Sequence, residues 1–245
     1  MVRLSVNVNK IATVRNSRGG TVPSVREAVQ VCLDAGSPGI TVHPRADARH
    51  ITVADVRDIA EMIAPLKGRV EFNIEGDPRD DLIDLVLDVK PDQCTLVPVR
   101  PGEITSQAGW SAGSASDTLT RAIGRLRTAG IRVSLFVDAR EDAVRWAAST
   151  GAARIELYTE PYVRAYERSA ADGLAAFETY SGIATLAHSL GLGINAGHDL
   201  DLENLVLFRR LPHLAEVSIG HALISHALFV GLSRAVREYL DLLAG

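Results

Sequence analysis

The feature that most constrains the fold is an alternation of short apolar segments with longer segments of helical periodicity, repeated along the whole chain. The short segments are rich in Val and Ile, which is typical of buried strands. They lie at Leu4–Val8, Gly39–Val42, Val70–Ile74, Gln93–Val97, Arg132–Val137, Ala153–Leu157, Gly193–Asn195 and Glu216–Ile219. The helical segments lie near 24–35, 52–64, 80–89, 116–129, 141–150, 172–190, 201–210 and 225–243.

Strand–helix units in this order, without a break in composition, favour an α/β fold with one closed parallel (β/α)8 barrel. Residues 1–245 are expected to form a single domain. An open, doubly wound sheet is the alternative. Two connections exceed the usual length, Pro98–Ser114 and Tyr158–Ala171. We expect the first to act as a lid over a bound substrate, with a plain insertion as the alternative.

Composition excludes several classes of protein. The 245 residues carry a formal net charge of −4, so no basic field favours a nucleic-acid partner. The first residues have no apolar segment typical of a secretory signal, and no apolar run reaches the roughly 18 residues of a membrane span. Cys32 and Cys94 lack metal-ligand spacing and are expected to be reduced core residues. These features favour a cytoplasmic protein.

Known cofactor and metal motifs are missing from the sequence. No GxGxxG follows the first strand, and no GxxxxGK[ST] occurs, which disfavours dinucleotides and nucleoside triphosphates. There is no HExxH, and arginines rather than carboxylates separate His43 from His50. We therefore expect neither a cofactor nor a metal.

Polar residues cluster at the predicted strand ends, where barrel enzymes build their active sites. One histidine alone is usually structural, but three at the same end of one barrel indicate a site. His188, His213 and His226 fall elsewhere and are interpreted as structural. The candidates are Asn7, His43, Arg45, Glu71, Thr105, Glu156, Asn195, His198, Gly220 and His221.

Two Gly-His pairs follow neighbouring strands, Gly197-His198 and Gly220-His221. Glycine lets backbone N–H groups approach a phosphate, and a following helix N-terminus adds positive potential. Simple turns are the alternative. The segment 15–20, with two arginines, is a second candidate for binding an anion.

Glu71 stands between Val70 and Phe72, so alternation directs its side chain into the barrel. A buried carboxylate there suits a proton carrier. An ion pair with an arginine of the barrel is the alternative.

The lysines limit Schiff-base chemistry, which requires a lysine inside the site. Lys67 and Lys90 precede strands and belong at the opposite end of the barrel. An aldolase could use only Lys10, which lies beyond the first strand.

Over nearly its full length the chain resembles the pyridoxine 5'-phosphate synthase family. The matching segments are SVNVNKIATVRNSRG, GITVHPRADARHI, RVEFN, CTLVPVR with EIT, IRVSLFVDA, IELYT, INAGHDL and SIGHALI. The resemblance implies a transferase without a cofactor, a barrel with extra helices, and a homo-octamer. It also implies that two phosphorylated small molecules, 1-deoxy-D-xylulose 5-phosphate and 3-amino-2-oxopropyl phosphate, condense to pyridoxine 5'-phosphate, phosphate and water.

The same resemblance assigns roles to residues. His43 and Glu71 would accept protons, and His198 would donate one. Glu156 would stabilise the transition state. The implied substrate contacts are Asn7, Arg18 and Asp199 for the amino-ketone phosphate, Arg45, His50 and Thr105 for the deoxyxylulose phosphate, and Gly220 with His221 for a phosphate.

The chain departs from the family pattern in two places. Asn9-Lys10 stands where many members have Asp-His, and Asp199 replaces a frequent glycine. An acidic side chain would repel a phosphate, so Asp199 is expected to contribute its backbone N–H. A third hypothesis is a non-catalytic barrel that binds a phosphorylated ligand, but such a barrel would not need three matched proton carriers.

Overall fold

The eight strands form a closed barrel in the order β1 to β8, and every neighbouring pair is parallel. The computed structural model describes residues 1–99, 108–111, 113 and 116–245. The strands are β1 (Arg3–Asn7), β2 (Gly39–Val42), β3 (Glu71–Gly76), β4 (Gln93–Leu96), β5 (Arg132–Val137), β6 (Arg154–Leu157), β7 (Gly193–His198) and β8 (Leu214–Ile219). The predicted (β/α)8 barrel is confirmed, and the open sheet is excluded.

The helices surround the barrel. They are α1 (Asn9–Asn16), α2 (Val25–Asp34), α3 (Val53–Ile63), α4 (Asp80–Val89), α5 (Asp117–Thr128), α6 (Glu141–Ser149), α7 (Glu160–Arg168), α8 (Ala170–Ser189), α9 (Leu205–Phe208), α10 (His221–Val230) and α11 (Leu232–Ala244). No helix in the described part of the chain has both the length and the apolarity needed to cross a membrane.

Three helical features differ from the sequence-based expectation. Helix α1 was not expected, and it buries only Ala12, so its sequence carries little apolar periodicity. Helix α7 occupies most of the connection 158–171, which was expected to be a loop. The single last helix is divided into α10 and α11, because Gly231 adopts a φ of +86°.

Apolar side chains that point outward from the strands form the core against the helices. Leu4, Ile40, Ile74 and Leu135 are fully buried in this layer. Helix α3 begins with a capping box, in which the Thr52 hydroxyl accepts from the Asp55 backbone N–H and the Asp55 carboxylate accepts from the Thr52 backbone N–H.

Most inward-facing positions of the barrel carry polar side chains. The Ser5 and Thr41 hydroxyl oxygens are 2.7 Å apart, and the Asn73 amide donates to Thr41 at 3.3 Å. The Thr95 hydroxyl in turn donates to Asn73 at 3.1 Å. This hydrogen-bonded middle layer separates the two ends of the barrel interior.

The connection after β4 is only partly described. Most of this connection, including Thr105, lies outside the described residues, so the predicted lid remains a prediction. The end of the connection is anchored, because the Gly109 N–H donates to Asp138 at 2.9 Å and the Trp110 indole donates to the Leu96 carbonyl at 2.8 Å.

Candidate active site

The carboxyl ends of the strands bring five polar side chains into one mouth of the barrel. The Asn7 amide donates to one carboxylate oxygen of Glu75 at 3.4 Å, and the Ser218 hydroxyl reaches the other at 3.5 Å. His198 Nδ1 is 3.6 Å from a carboxylate oxygen of Glu156. Two carboxylates and an imidazole therefore interact electrostatically inside a largely buried site.

His43 follows β2 and lies at the same mouth with 8% of its surface exposed. Its backbone N–H donates to the Asn9 side-chain oxygen at 2.9 Å. Burial, followed by electrostatic interaction with His50 and Arg45, holds the pKa of His43 well below its usual range. Its ring Nε2 has no hydrogen-bond partner among the described residues. Burial therefore favours the neutral form of the His43 imidazole, and its Nε2 is not engaged by the described residues.

Glu75 is, with Ser218, a member of the site that sequence reasoning missed. It is 4% exposed, and burial together with the charge of Glu156 raises its pKa, while His198 opposes that shift. The signal was present, because Glu71, Asn73 and Glu75 alternate along one strand and all face inward. The expected strand ended one residue too early to include Glu75.

The placement of Glu71 at the catalytic mouth was wrong. Glu71 is the first residue of β3, so it lies at the opposite, amino-terminal end of the barrel. Its carboxylate forms an ion pair with Arg3 at 3.3 Å and another with Arg132. The alternative interpretation, a glutamate paired with barrel arginines, is the correct one. The alternation of residues along the strand predicted that the Glu71 side chain points into the barrel, but not at which end of the barrel it lies.

His198 ends β7 in a left-handed conformation with a φ of +73°. Burial lowers the pKa of its ring, but the proximity and negative charge of Glu156 outweigh burial, and the pKa is raised overall. Glu156 is 1% exposed, and its second carboxylate oxygen has no partner among the described residues. The pair is suited to holding a proton on His198 and releasing it.

A cavity of about 410 Å³ opens beside His198, between α7 and the beginning of α10. Its lining includes His198, Asp199 and His221. Gly220 is the N-cap residue of α10, so the first N–H groups of that helix lie at this edge of the mouth. Acidic side chains also line the cavity, namely Glu160, Glu167 and Asp201.

The remaining predicted residues are distributed around the rim. Arg45 is 9% exposed, and burial, then the charges of Arg45 and Lys10, lower the pKa of His50 to about 4. His50 Nδ1 accepts from the Ile51 N–H at 2.9 Å, which leaves Nε2 as the site of the ring proton. Arg18 lies in an exposed turn after α1, and no described contact joins it to the mouth.

No group of three or more His, Cys, Asp or Glu residues is arranged to hold a metal ion within the described ranges.

Asn195 does not belong to the mouth. Its side chain accepts from Arg154 at 2.9 Å and donates toward Gln93 and Glu216, which places it with the polar groups near the amino-terminal end.

Comparison with known proteins gives consistent matches. The family model described as "Pyridoxal phosphate biosynthesis protein PdxJ" matches residues 4–245. A Porphyromonas gingivalis protein named pyridoxine 5'-phosphate synthase is 51% identical over 245 residues, covering 100% of both chains. A Bacteroides fragilis protein of the same name is 50% identical over 244 residues, covering 99% of this chain and 100% of its own. The solved thiamine phosphate pyrophosphorylase of Pyrococcus furiosus has a TM-score of 0.60 at 14% identity, covering 99% of this chain and 96% of its own, and supports the fold alone.

Proposed function

Because the chain belongs to the PdxJ family of pyridoxal phosphate biosynthesis proteins, we propose that it is a pyridoxine 5'-phosphate synthase of vitamin B6 biosynthesis. The reaction condenses 1-deoxy-D-xylulose 5-phosphate with 3-amino-2-oxopropyl phosphate and releases phosphate and water. The amine of the substrate forms the imine with the ketone, so no enzyme lysine is required.

The observation that carries the proposal is a set of proton carriers with different proton affinities at one mouth. Neutral His43 has an unpaired ring nitrogen and accepts a proton. His198, whose pKa is raised, donates one. Glu75 replaces Glu71 as the carboxyl proton acceptor, because burial brings its pKa closer to neutral pH. Imine formation, enolisation and dehydration each move protons, and groups tuned in this way serve them.

Two regions of the mouth are suited to the two phosphorylated substrates. Gly220 and His221 present the N-terminus of α10, whose N–H groups and dipole favour a phosphate. Asp199 contributes through its backbone there, since its carboxylate and those lining the cavity would repel a phosphate. Beyond the end of β2, Arg45 and the Nε2–H of His50 supply donors for the second phosphate.

Asn7, Arg18 and Thr105 complete the proposed substrate contacts. Asn7 already donates to Glu75 and orients that carboxyl group. Arg18 would have to reach a substrate from its exposed turn, and Thr105 from the connection after β4. We also propose a homo-oligomeric, cytoplasmic enzyme that forms a single catalytic domain.

The aldolase alternative is not favoured. Lys10 is in the first turn of α1 at the rim, close enough to lower the pKa of His50, whereas the proton carriers lie deeper. A barrel that only bound ligands would gain nothing from buried, unpaired proton carriers, since each costs stability.

The test is to incubate the purified protein with both substrates and to detect pyridoxine 5'-phosphate by its fluorescence and mass. We expect product only when both substrates are present, and matching release of inorganic phosphate. Phosphate release from the ketose phosphate alone, or no product at any protein concentration, would contradict the proposal.

A further inference from the structure

The junction between β6 and α7 holds a threonine whose side chain is used in an unusual way. Thr159 is the N-cap residue of α7 and is fully buried. An N-cap threonine normally accepts a hydrogen bond from the first turn of its own helix. Here no such bond forms, and the hydroxyl donates to the backbone carbonyl of Gly197 in β7. The side chain therefore fixes a neighbouring strand instead of its own helix.

The end of β7, which Thr159 holds, leaves no room for a side chain at Gly197. A Cβ atom at Gly197 would lie 2.6 Å from the Ser218 carbonyl oxygen and 2.9 Å from a carboxylate oxygen of Glu156. Only glycine fits so close to both groups. The next residue, His198, has a φ of +73°, a left-handed conformation that is unfavourable for a residue with a side chain. Such a conformation persists only where the surroundings hold it.

The Gly197 carbonyl lies in the peptide plane that joins Gly197 to His198. The φ angle of His198 describes rotation about the N–Cα bond relative to this plane. A hydrogen bond to that carbonyl therefore restrains this rotation directly. The ring is restrained separately, since Phe136 lies 4.8 Å away, centroid to centroid, and Tyr158 lies 6.4 Å away in an edge-on arrangement. With the peptide plane and the ring both held, Nδ1 of His198 is 3.6 Å from Glu156.

We propose that Thr159 is a positioning residue for His198: its hydroxyl holds the Gly197–His198 peptide so that the imidazole faces Glu156 and the substrate. This inference rests on the proposed role of His198 as the proton donor. Thr159 does not reach the substrate itself, because its only described polar side-chain contact is the Gly197 carbonyl.

The test compares Thr159→Val, which keeps the shape and removes the hydroxyl, with Thr159→Ser, which keeps the hydroxyl. A misplacement of about 1 Å can reduce turnover by about 10²-fold. We expect kcat of the Val variant to fall by about 10–100-fold, with the KM of each substrate within about threefold of the parent value. The Ser variant should keep most of the parent kcat.

The pH dependence of kcat separates positioning from general damage to the fold. Contact with Glu156 raises the pKa of His198, so moving the ring away from Glu156 should lower it. Because His198 must be protonated to donate, the alkaline limb of the kcat profile should move to lower pH in the Val variant and not in the Ser variant. A purely structural role would reduce thermal stability without moving that limb.

His198→Asn serves as the reference variant. If it lacks turnover while the Val variant keeps the parent kcat and pH profile, the inference about Thr159 is wrong and the proposed function stands. If His198→Asn keeps full turnover, His198 is not the proton donor, so its proposed role and the inference about Thr159 both fail while the proposed synthase function stands. Should the Val variant not fold, Thr159→Ala is compared with Thr159→Ser in the same assays, and equal losses in these two variants would overturn the inference.

Discussion

Both ends of the barrel interior contain buried glutamates, but the groups around those glutamates differ. At the amino-terminal end, Glu71 pairs with Arg3 and Arg132, and Arg154 donates to Asn195. At the carboxyl end, ring and carboxylate atoms of His43, Glu156 and His198 have no hydrogen-bond partner among the described residues. One end satisfies its charges, and the other leaves them available.

A perturbed pKa does not distinguish the two ends. Burial, then the charge of Glu71, raises the pKa of Glu216 at the amino-terminal end, much as burial raises that of Glu75 at the mouth. Three arginines surround Glu216, whereas one histidine and a second carboxylate face Glu75. Unpaired buried atoms next to an open cavity identify the functional end, because structural ion-pair networks also shift pKa values.

The largest expected effect separates Glu75 from Glu71. Glu75→Gln and His198→Asn should each lose about 10²–10⁴-fold in kcat, the usual loss when a positioned acid or base is removed. Glu71→Gln should keep kcat within about threefold, because Glu71 lies beyond the hydrogen-bonded middle layer and does not reach the mouth. Steady-state assays with both substrates measure this difference.

Folding controls accompany these three variants. Circular dichroism and binding of inorganic phosphate should be close to the parent for Glu75→Gln and His198→Asn. Equal loss of turnover in Glu71→Gln and Glu75→Gln would mean that the two ends of the barrel are functionally coupled. That result would contradict the assignment of the chemistry to the carboxyl end alone.

Glu71→Gln should instead lower stability. The substitution leaves the guanidinium groups of Arg3 and Arg132 without their carboxylate, and unsatisfied groups of this kind cost about 1–3 kcal/mol. For a protein of this size, that corresponds to a decrease in Tm of roughly 2–4 °C per kcal/mol. Chemical denaturation at neutral pH gives the difference in the free energy of unfolding. An unchanged midpoint would show that the ion pairs make no net contribution.

Glu75→Gln should change stability in the opposite direction, and increasingly so as pH rises. The pKa of Glu75 is higher in the folded state than its ordinary value of 4.5, so the folded state binds this proton more tightly than the unfolded state. Stability is therefore lost as pH rises from the unfolded pKa through the folded pKa. Glutamine removes that loss, and the variant should gain about 1–2 kcal/mol over the parent between pH 5 and pH 8. A constant difference across that range would contradict the raised pKa.

The sequence predicted the barrel fold and which strand residues point into it. It did not predict at which end of the barrel interior each of those side chains lies. Glu71 and Glu75 both face inward by alternation, and only the true bounds of β3 decide which one reaches the mouth. Pairing of Glu71 with Arg132 depends on strands distant in sequence. The bond from Thr159 to Gly197 likewise joins residues 38 positions apart, and local sequence carries no signal for it. Helix α7 was not predicted, because the expectation of a loop at 158–171 rested only on the length of that connection.

The smallest expected effect concerns Lys10 at the rim. Lys10→Met should leave kcat within about threefold and raise the KM of a phosphorylated substrate by a similar factor, because one partly exposed charge at the rim contributes only about 0.2–1 kcal/mol. Borohydride reduction with the ketose phosphate present, followed by mass spectrometry, should detect no adduct on Lys10, since the imine nitrogen comes from the substrate amine. Lys67→Met, at the amino-terminal side, is the matched control and should change neither constant. A stable adduct on Lys10, with kcat lost in Lys10→Met, would favour the aldolase mechanism and place the chemistry at the rim instead of among His43, Glu75 and His198.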